Sequence, residues 1–335
     1  MRIFALSSVA FCLLAGCATD EPELSPDDGF DDTAIDGGKS DEAQSSRRIV
    51  HTFSDRRLFP EGGAFDPVDR AFYVGSLQYG NVTRVDAMGR ETTFYAGTGE
   101  DARYTLGMQV DAERRLLWVC TTKDTLGTIW IFNLATGTRV SSVDLTVANP
   151  KAACNDVLLD GDSALISDRE NEHIYRVDGQ RRVSVWANDP LLGGHLVSLN
   201  SLVFTNDHSA VITAPYLAPK LVRVSTSNPR DVREVDLSGD MFMDGFNVLN
   251  GPDDLMMMPD GQLIIAFGSS IKRVTPKDRS WSAATVKSTR TIGGVTALVR
   301  DEGHLYGING QSVRFLLGVP PAQPEIFEID PARLR

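Results

Sequence analysis

From Arg47 onward, apolar residues come in short runs cut by Gly, Asp, Asn and Pro, and no long stretch keeps a 3.6-residue apolar period. This pattern predicts strands joined by tight turns. Aligning the runs exposes a repeat. A first strand leads into an Asp or Asn turn over residues 63 to 66, 107 to 111, 157 to 160, 202 to 207, 255 to 260 and 297 to 301. A second apolar strand follows each one, over residues 71 to 74, 116 to 119, 164 to 167, 210 to 213, 263 to 266 and 304 to 307. A third strand alternates apolar and polar, as in Val82 to Asp86 and His173 to Asp178, and most units add a fourth, as in Arg182 to Trp186.

Six such units, each of about 45 residues, predict an all-β, six-bladed β-propeller with four-stranded blades. The sixth unit ends at Ile329 with three strands. The run Arg48 to Phe53 supplies the missing one, so the N-terminal strand closes the last blade and removes the open edges.

First strands line the channel of a propeller. The residues just ahead of them are, in register, Glu61, Leu106, Asn155, Asn200, Asp253 and Thr296. Four of these six are carboxylates or amides, brought from four blades toward one mouth. Two carboxylates and two amides suit a hard divalent cation, Ca²⁺ first, which accepts six to eight oxygens. No His and Cys set has zinc spacing. The competing reading is that Asn and Asp serve there as turn residues or strand caps. Asp254, beside Asp253, is either a fifth ligand or a solvated neighbour.

Pro60-Glu61-Gly62, Cys154-Asn155-Asp156, Asn200-Ser201-Leu202 and Gly251-Pro252-Asp253 together resemble the marks of the senescence marker protein/gluconolactonase family. Its relatives include diisopropylfluorophosphatase, paraoxonase and strictosidine synthase. The resemblance runs from about residue 48 to 330. It implies a six-bladed propeller with Ca²⁺ held in the channel by a Glu, two Asn and an Asp. It further implies hydrolysis of lactones or related esters, with the cation polarising the carbonyl. Glu61, Asn155, Asn200 and Asp253 would be the ligands, and Asp253 also the general base or nucleophile. Two positions depart from the pattern: Ala153 stands where an Arg often grips a sugar, and Ser201 where Gly is usual. The first departure turns the expectation away from sugar-acid lactones. The alternative is a non-catalytic propeller that keeps a metal for stability and binds a ligand or protein at the cell envelope.

Several residues bear on the pocket without fixing it. His195 sits five residues before Asn200, either lining the pocket or on a surface loop. Phe242, Met243, Phe246 and Met256 to Met258 surround the Asp253 segment as core, with the loop from Asp240 to Asn250 as a candidate apolar wall. Cys120 and Cys154 form either a bridge or two buried thiols. No Gly-x-Ser-x-Gly elbow and no phosphate loop appears.

Charge adds an address. The chain of 335 residues carries 33 Lys and Arg against 45 Asp and Glu, a net −12, which excludes a basic face for nucleic acid. Met1 and Arg2 precede an apolar run to Leu14, and Leu14-Ala15-Gly16-Cys17 matches a lipoprotein cleavage site. Residues 1–16 are therefore expected to be a signal peptide, with lipidation at Cys17. By the same resemblance, Ala18 favours the outer membrane. Residues 17–46 hold ten acidic residues against Lys39 alone and read as an acidic, disordered tether. Residues 47–335 form the propeller, expected as a monomer acting on a small lactone or ester.

Overall fold

The computed structural model describes residues 48–97, 103–194, 197–243, 251–268, 270–289, 294–301 and 303–330. The signal segment with Cys17, the acidic stretch, His195 and Phe246 lie outside them. Twenty-five strands are described, and they form six sheets, as the repeat predicts.

Five of the sheets are wholly antiparallel, and the blade 5 sheet adds one parallel strand. Blade 1 is β2 (Gly63–Asp66), β3 (Ala71–Gly75), β4 (Val82–Val85) and β5 (Glu91–Tyr95). Blade 2 is β6 (Tyr104–Asp111), β7 (Leu116–Lys123), β8 (Leu126–Asn133) and β9 (Arg139–Asp144). Blade 3 is β10 (Cys154–Asp160), β11 (Ser163–Asp168), β12 (His173–Val177) and β13 (Val183–Asn188). Blade 4 is β14 (Leu199–Phe204), β15 (Ala210–Pro215), β16 (Val222–Ser225) and β17 (Val232–Glu234).

Blade 5 holds β19 (Pro252–Met257), β20 (Leu263–Phe267), β21 (Ile271–Pro276) and β22 (Ala283–Ser288). It departs from the four-strand expectation. A fifth strand, β18 (Asp236–Gly239), pairs in parallel with β22, Asp236 opposite Ala283. Its cause is local: β17 stops after three residues, the chain runs on through Val235, and Asp236 N donates to Ser282 O at 3.0 Å. The outer edge of blade 4 thereby continues onto blade 5.

Blade 6 is β23 (Val295–Arg300), β24 (Leu305–Asn309) and β25 (Glu325–Ile329), completed by β1 (Arg48–Thr52). β1 pairs antiparallel with β25, Arg48 opposite Glu328 and Thr52 opposite Glu325. Phe53 N then donates to Pro324 O at 3.1 Å. The two ends of the ring are thus joined by a ladder.

Asp and Asn recur at the turns because their side chains replace a missing backbone partner. Asp66 Oδ1 accepts from Val68 N, Asp86 Oδ1 from Met88 N, Asn133 Oδ1 from Ala135 N, and Asp178 Oδ1 from Gln180 N. The repeat in the sequence is therefore partly a repeat of turn chemistry.

The core is divided. Six apolar clusters stand among the described residues, one for each pair of neighbouring blades. Second strands feed two clusters at once, because successive side chains point to opposite faces. In β3, Phe72 and Val74 join blade 6, while Ala71 and Tyr73 join blade 2. In β20, Leu263, Ile265 and Phe267 face blade 4, and Ile264 and Ala266 face blade 6. This is why second strands read as continuous apolar runs: every residue of β3, β11, β15 and β20 is buried. Phe242 and Met243 belong to the blade 4 and 5 cluster, as expected of core.

Candidate functional site

Inner strands β6, β10, β14, β19 and β23 share one irregularity near their starts. In β10, Cys154 pairs with Asp168 and Val157 with Ile166, so Asn155 and Asp156 together face the single residue Ser167. In β14, Asn200 and Ser201 face Ala214 in the same way. β6 repeats it at Leu106 and Gly107, β19 carries an extra Asp253, and β23 an extra Thr296. A bulge frees side chains from the alternation of the ladder and re-aims them. Here Asn155, Asn200, Asp253 and Thr296 line the channel cavity, while in β6 Leu106 stays in the core and Gly107 takes the lining place.

Glu61 reaches the same level by another route. A single 3-10 turn (Arg56–Leu58), capped by Asp55, ends at Phe59 in a left-handed conformation with φ 44°. Pro60 O then accepts from Thr296 Oγ1 at 3.2 Å, which ties the Glu61 segment to blade 6.

Glu61, Asn155, Asn200 and Asp253 all line one cavity of about 270 Å³ along the channel, with Asp156, Ser201, Asp254 and Thr296. A run of hydrogen bonds links three blades. Asn155 Nδ2 donates to Asn200 O at 3.3 Å. Asn200 Nδ2 donates to Asp253 Oδ1 at 3.0 Å and to Pro252 O at 3.3 Å. With the amide nitrogens so engaged, the amide oxygens are turned away from those acceptors. Glu61 Oε2 is buried with no hydrogen-bond partner among the described residues. Of the other two strand leaders, Leu106 is buried apolar and Thr296 is engaged with Pro60 O and Ile308 O.

A second set lies just behind. Ser201 Oγ is 2.8 Å from Asp156 Oδ2 and 2.7 Å from Asp254 Oδ1. Asp254 also accepts from Leu255 N at 2.7 Å and from Leu298 N at 2.6 Å. Asp156 accepts from Val157 N at 2.8 Å. Ser167 Oγ accepts from Asp156 N at 2.8 Å and donates to Asn200 O at 2.7 Å. Asp254 lines the cavity and is held on both oxygens by these bonds. It is a buttress that ties blades 4, 5 and 6 together. The fit is close: a Cβ on Gly107 would come within 2.3 Å of Asp156 Oδ1.

Four carboxyl groups in one channel repel one another, and burial penalises each charge. Burial first, then Asp254, pushes Glu61 up to about 7, against a downward pull from Arg169 and the Ser312 hydroxyl. Asp156 is pushed up to about 7 by burial and Asp254. Asp254 rises to about 6 through burial, held back by its backbone and Ser201 hydrogen bonds. Asp253 rises well above the carboxylate range through burial, Glu61 and Asp254. Arg169 is the one cation felt by this set of four carboxyl groups among the causes of their shifts, and it acts on Glu61.

Two of these groups lie outside the sequence expectation. Asp156 and Ser201 are the second residues of their bulges. Two polar residues in succession inside an apolar inner strand were the signal, since a plain strand would have sent one of them into a blade interface. Among the described residues, no three His, Cys, Asp or Glu side chains stand together in a metal-binding cluster. The expected tetrad differs in kind, being half amide.

Cys120 on β7 and Cys154 on β10 are joined in a disulfide, with Cα atoms 5.9 Å apart. This settles the open choice for the bridge. It fastens blade 2 to the residue immediately before Asn155.

Aromatic side chains pack beside the Glu61 segment, on the core cluster shared by blades 2 and 3. A short helix, α1 (Ser312–Leu317), interrupts blade 6 and sets Phe315 5.3 Å from Phe59 and 5.9 Å from Tyr104 between ring centroids. Tyr216 lies against Gly251, just ahead of Asp253. Its hydroxyl is pushed up by burial and by the charges of Asp253 and Glu61.

Solved structures with this fold are numerous. A gluconolactonase from Xanthomonas campestris superposes with a TM-score of 0.59 at 15% identity, over 84% of this chain and 95% of its own. A second, putative gluconolactonase gives 0.60 at 13%, over 84% and 98%. Virginiamycin B lyase from Staphylococcus aureus gives 0.55 at 11%, over 85% and 99%. No protein-family model matches the sequence, and no curated protein matches it. The chain thus has the fold of the gluconolactonase-like six-bladed propellers.

Proposed function

We propose that this propeller is a Ca²⁺-dependent hydrolase of the lactonase or esterase type. The observation that carries the reading is the tetrad of Glu61, Asn155, Asn200 and Asp253, delivered by four blades to one cavity, with Glu61 Oε2 buried and unpartnered. The donor set fits a hard cation. It is all oxygen, two carboxylates and two amides, and it sits where four carboxyl groups outnumber the one cation, Arg169, that acts on them. Bound there, Ca²⁺ or a similar ion supplies Lewis acidity toward a substrate carbonyl.

The chain's own residues supply the rest. Asn200 Nδ2 holds Asp253 Oδ1, leaving Oδ2 to take a proton. Water oxygen bonds to the carbonyl carbon while its proton passes to Asp253. The ring or ester C–O bond then breaks, and the leaving oxygen takes that proton back. Asp253 acting as a nucleophile is the variant of this scheme. The buttress of Asp156, Ser201 and Asp254 fixes the bulges and so the direction of Asn200 and Asp253. Ala153, standing where an Arg often grips a sugar, favours an apolar acyl or lactone body over a sugar. Leu14-Ala15-Gly16-Cys17 supports placing the protein on a lipid anchor at the bacterial envelope, with residues 17–46 as spacer.

A panel of aryl esters and aliphatic lactones, assayed with and without chelator, tests the reading. Turnover that chelator removes and Ca²⁺ restores, and that D253A lacks, is expected. Inactivity across the panel, together with a large Ca²⁺-induced rise in Tm, would instead assign the metal-stabilised binding role.

A further inference from the structure

At the end of β11 the chain turns through Asp168 into Arg169. Asp168 caps the turn, accepting from Glu170 N at 2.9 Å and Asn171 N at 3.1 Å on Oδ1, and from Tyr175 Oη at 2.7 Å on Oδ2. Arg169 is then pinned on both sides. Its N donates to Ala153 O at 2.8 Å, and its O accepts from Ser198 N at 2.7 Å. Ala153 lies two residues before Asn155, and Ser198 two residues before Asn200. The backbone of Arg169 is therefore fixed against half of the tetrad.

Its side chain is 32% exposed, and Nε is buried with no hydrogen-bond partner among the described residues. The nearest carboxylate is Glu170 Oε1, 3.6 Å from Nε, on a side chain that is itself 42% exposed. That is too long for a hydrogen bond and sits at the rim. Arg169 thus stands on blade 3, beside the segments that lead into Asn155 and Asn200. Burial raises both the Glu61 carboxyl on blade 1 and the Tyr104 hydroxyl on blade 2, and the charge of Arg169 offsets part of each rise.

A guanidinium offers five donors in a planar fork that matches a carboxylate, and it keeps its charge at all working pH. A buried donor left unpaired is costly, so the site is poised for an acceptor that the described residues do not supply. A cation in the tetrad below would add to the same need for an anion. Phe59, Tyr104 and Phe315 pack together on the neighbouring core cluster and bring no charge to it.

We propose that Arg169 is a specificity-determining residue that holds the carboxylate of an acidic substrate, so the substrates are lactones or esters bearing a carboxylate near the reacting carbonyl. This rests on the hydrolase reading for the chemistry but not for the binding. Two measurements separate them. The first compares kcat/KM for an aryl ester of glutarate with that for its methyl-capped, uncharged counterpart. Wild type is expected to favour the acid through KM, and R169M to reduce the acid-to-neutral ratio about tenfold or more, with R169K restoring part of it. An unchanged ratio overturns the proposal.

The second measures benzoate binding to the Ca²⁺-loaded protein by calorimetry. R169M should abolish the benzoate signal while still taking up Ca²⁺, and R169Q replaces it if R169M does not fold. Equal benzoate binding in wild type and variant overturns the proposal. If no ester is turned over at all, the hydrolase reading fails, and the benzoate comparison still decides the role of Arg169.

Discussion

Replacing Glu61 with Gln separates the electrostatic account of the channel from a purely structural one. Gln keeps the shape and removes the charge. In the cation-free protein, Glu61 is raised from 4.5 to about 7, mainly by burial. The folded state therefore holds this proton more tightly than the unfolded chain does. Its contribution is most favourable below the unfolded value, and stability is lost as pH rises from about 4.5 to 7. At pH 8 the charged Glu61 costs about 2–3 kcal/mol, after allowing for water in the channel. Near pH 4.5 the cost falls to under about 0.5 kcal/mol.

E61Q in chelator should thus melt several degrees above wild type at pH 8, taking about 2 °C per kcal/mol for a domain of this size. The gap should nearly close at pH 4.5. Adding Ca²⁺ should reverse the order, because wild type gains a ligand and the variant has lost one. Scanning calorimetry at the two pH values, with chelator and then with Ca²⁺, reads all four states. A variant less stable than wild type at pH 8 in chelator, or one that Ca²⁺ stabilises as much as wild type, would refute the reasoning.

Three further outcomes are expected. S201A removes the hydroxyl between Asp156 and Asp254, and should cost about 1–3 kcal/mol in urea unfolding; no measurable change would mean the buttress is idle. C120A/C154A opens a crosslink of sequence separation 34 and should lose roughly 3–4 kcal/mol on the chain-entropy account, with weakened Ca²⁺ uptake because Cys154 precedes Asn155. Wild type stripped of metal should lose stability from pH 5 to 8, and saturating Ca²⁺ should flatten that slope; parallel slopes with and without Ca²⁺ would count against the tetrad.

The architecture was legible because a propeller repeats its physics. Buried second strands, Asp and Asn turns and a missing sixth-unit strand each leave a local mark, and the pairing of β1 with β25 follows from counting strands. The tetrad positions were legible for the same reason, as one register point in six units. Three things were not. Asp156 and Ser201 depend on bulges, which shift a strand by one residue and so reverse which face a side chain takes. β18 depends on how soon β17 ends, which its composition does not mark. Arg169 stands fourteen residues after Asn155, and only the pairing of β10 with β11 brings it beside Ala153.

The account stands on one arrangement: oxygen side chains from four blades enclosing a single hard cation. A crystal structure of the protein grown with Ca²⁺ tests it directly through the anomalous signal of the ion. The expected result is one ion in the channel with oxygens of Glu61, Asn155, Asn200 and Asp253 at about 2.3–2.6 Å. Density showing only water there, or an ion bound elsewhere with Glu61 and Asp253 turned apart, would contradict it.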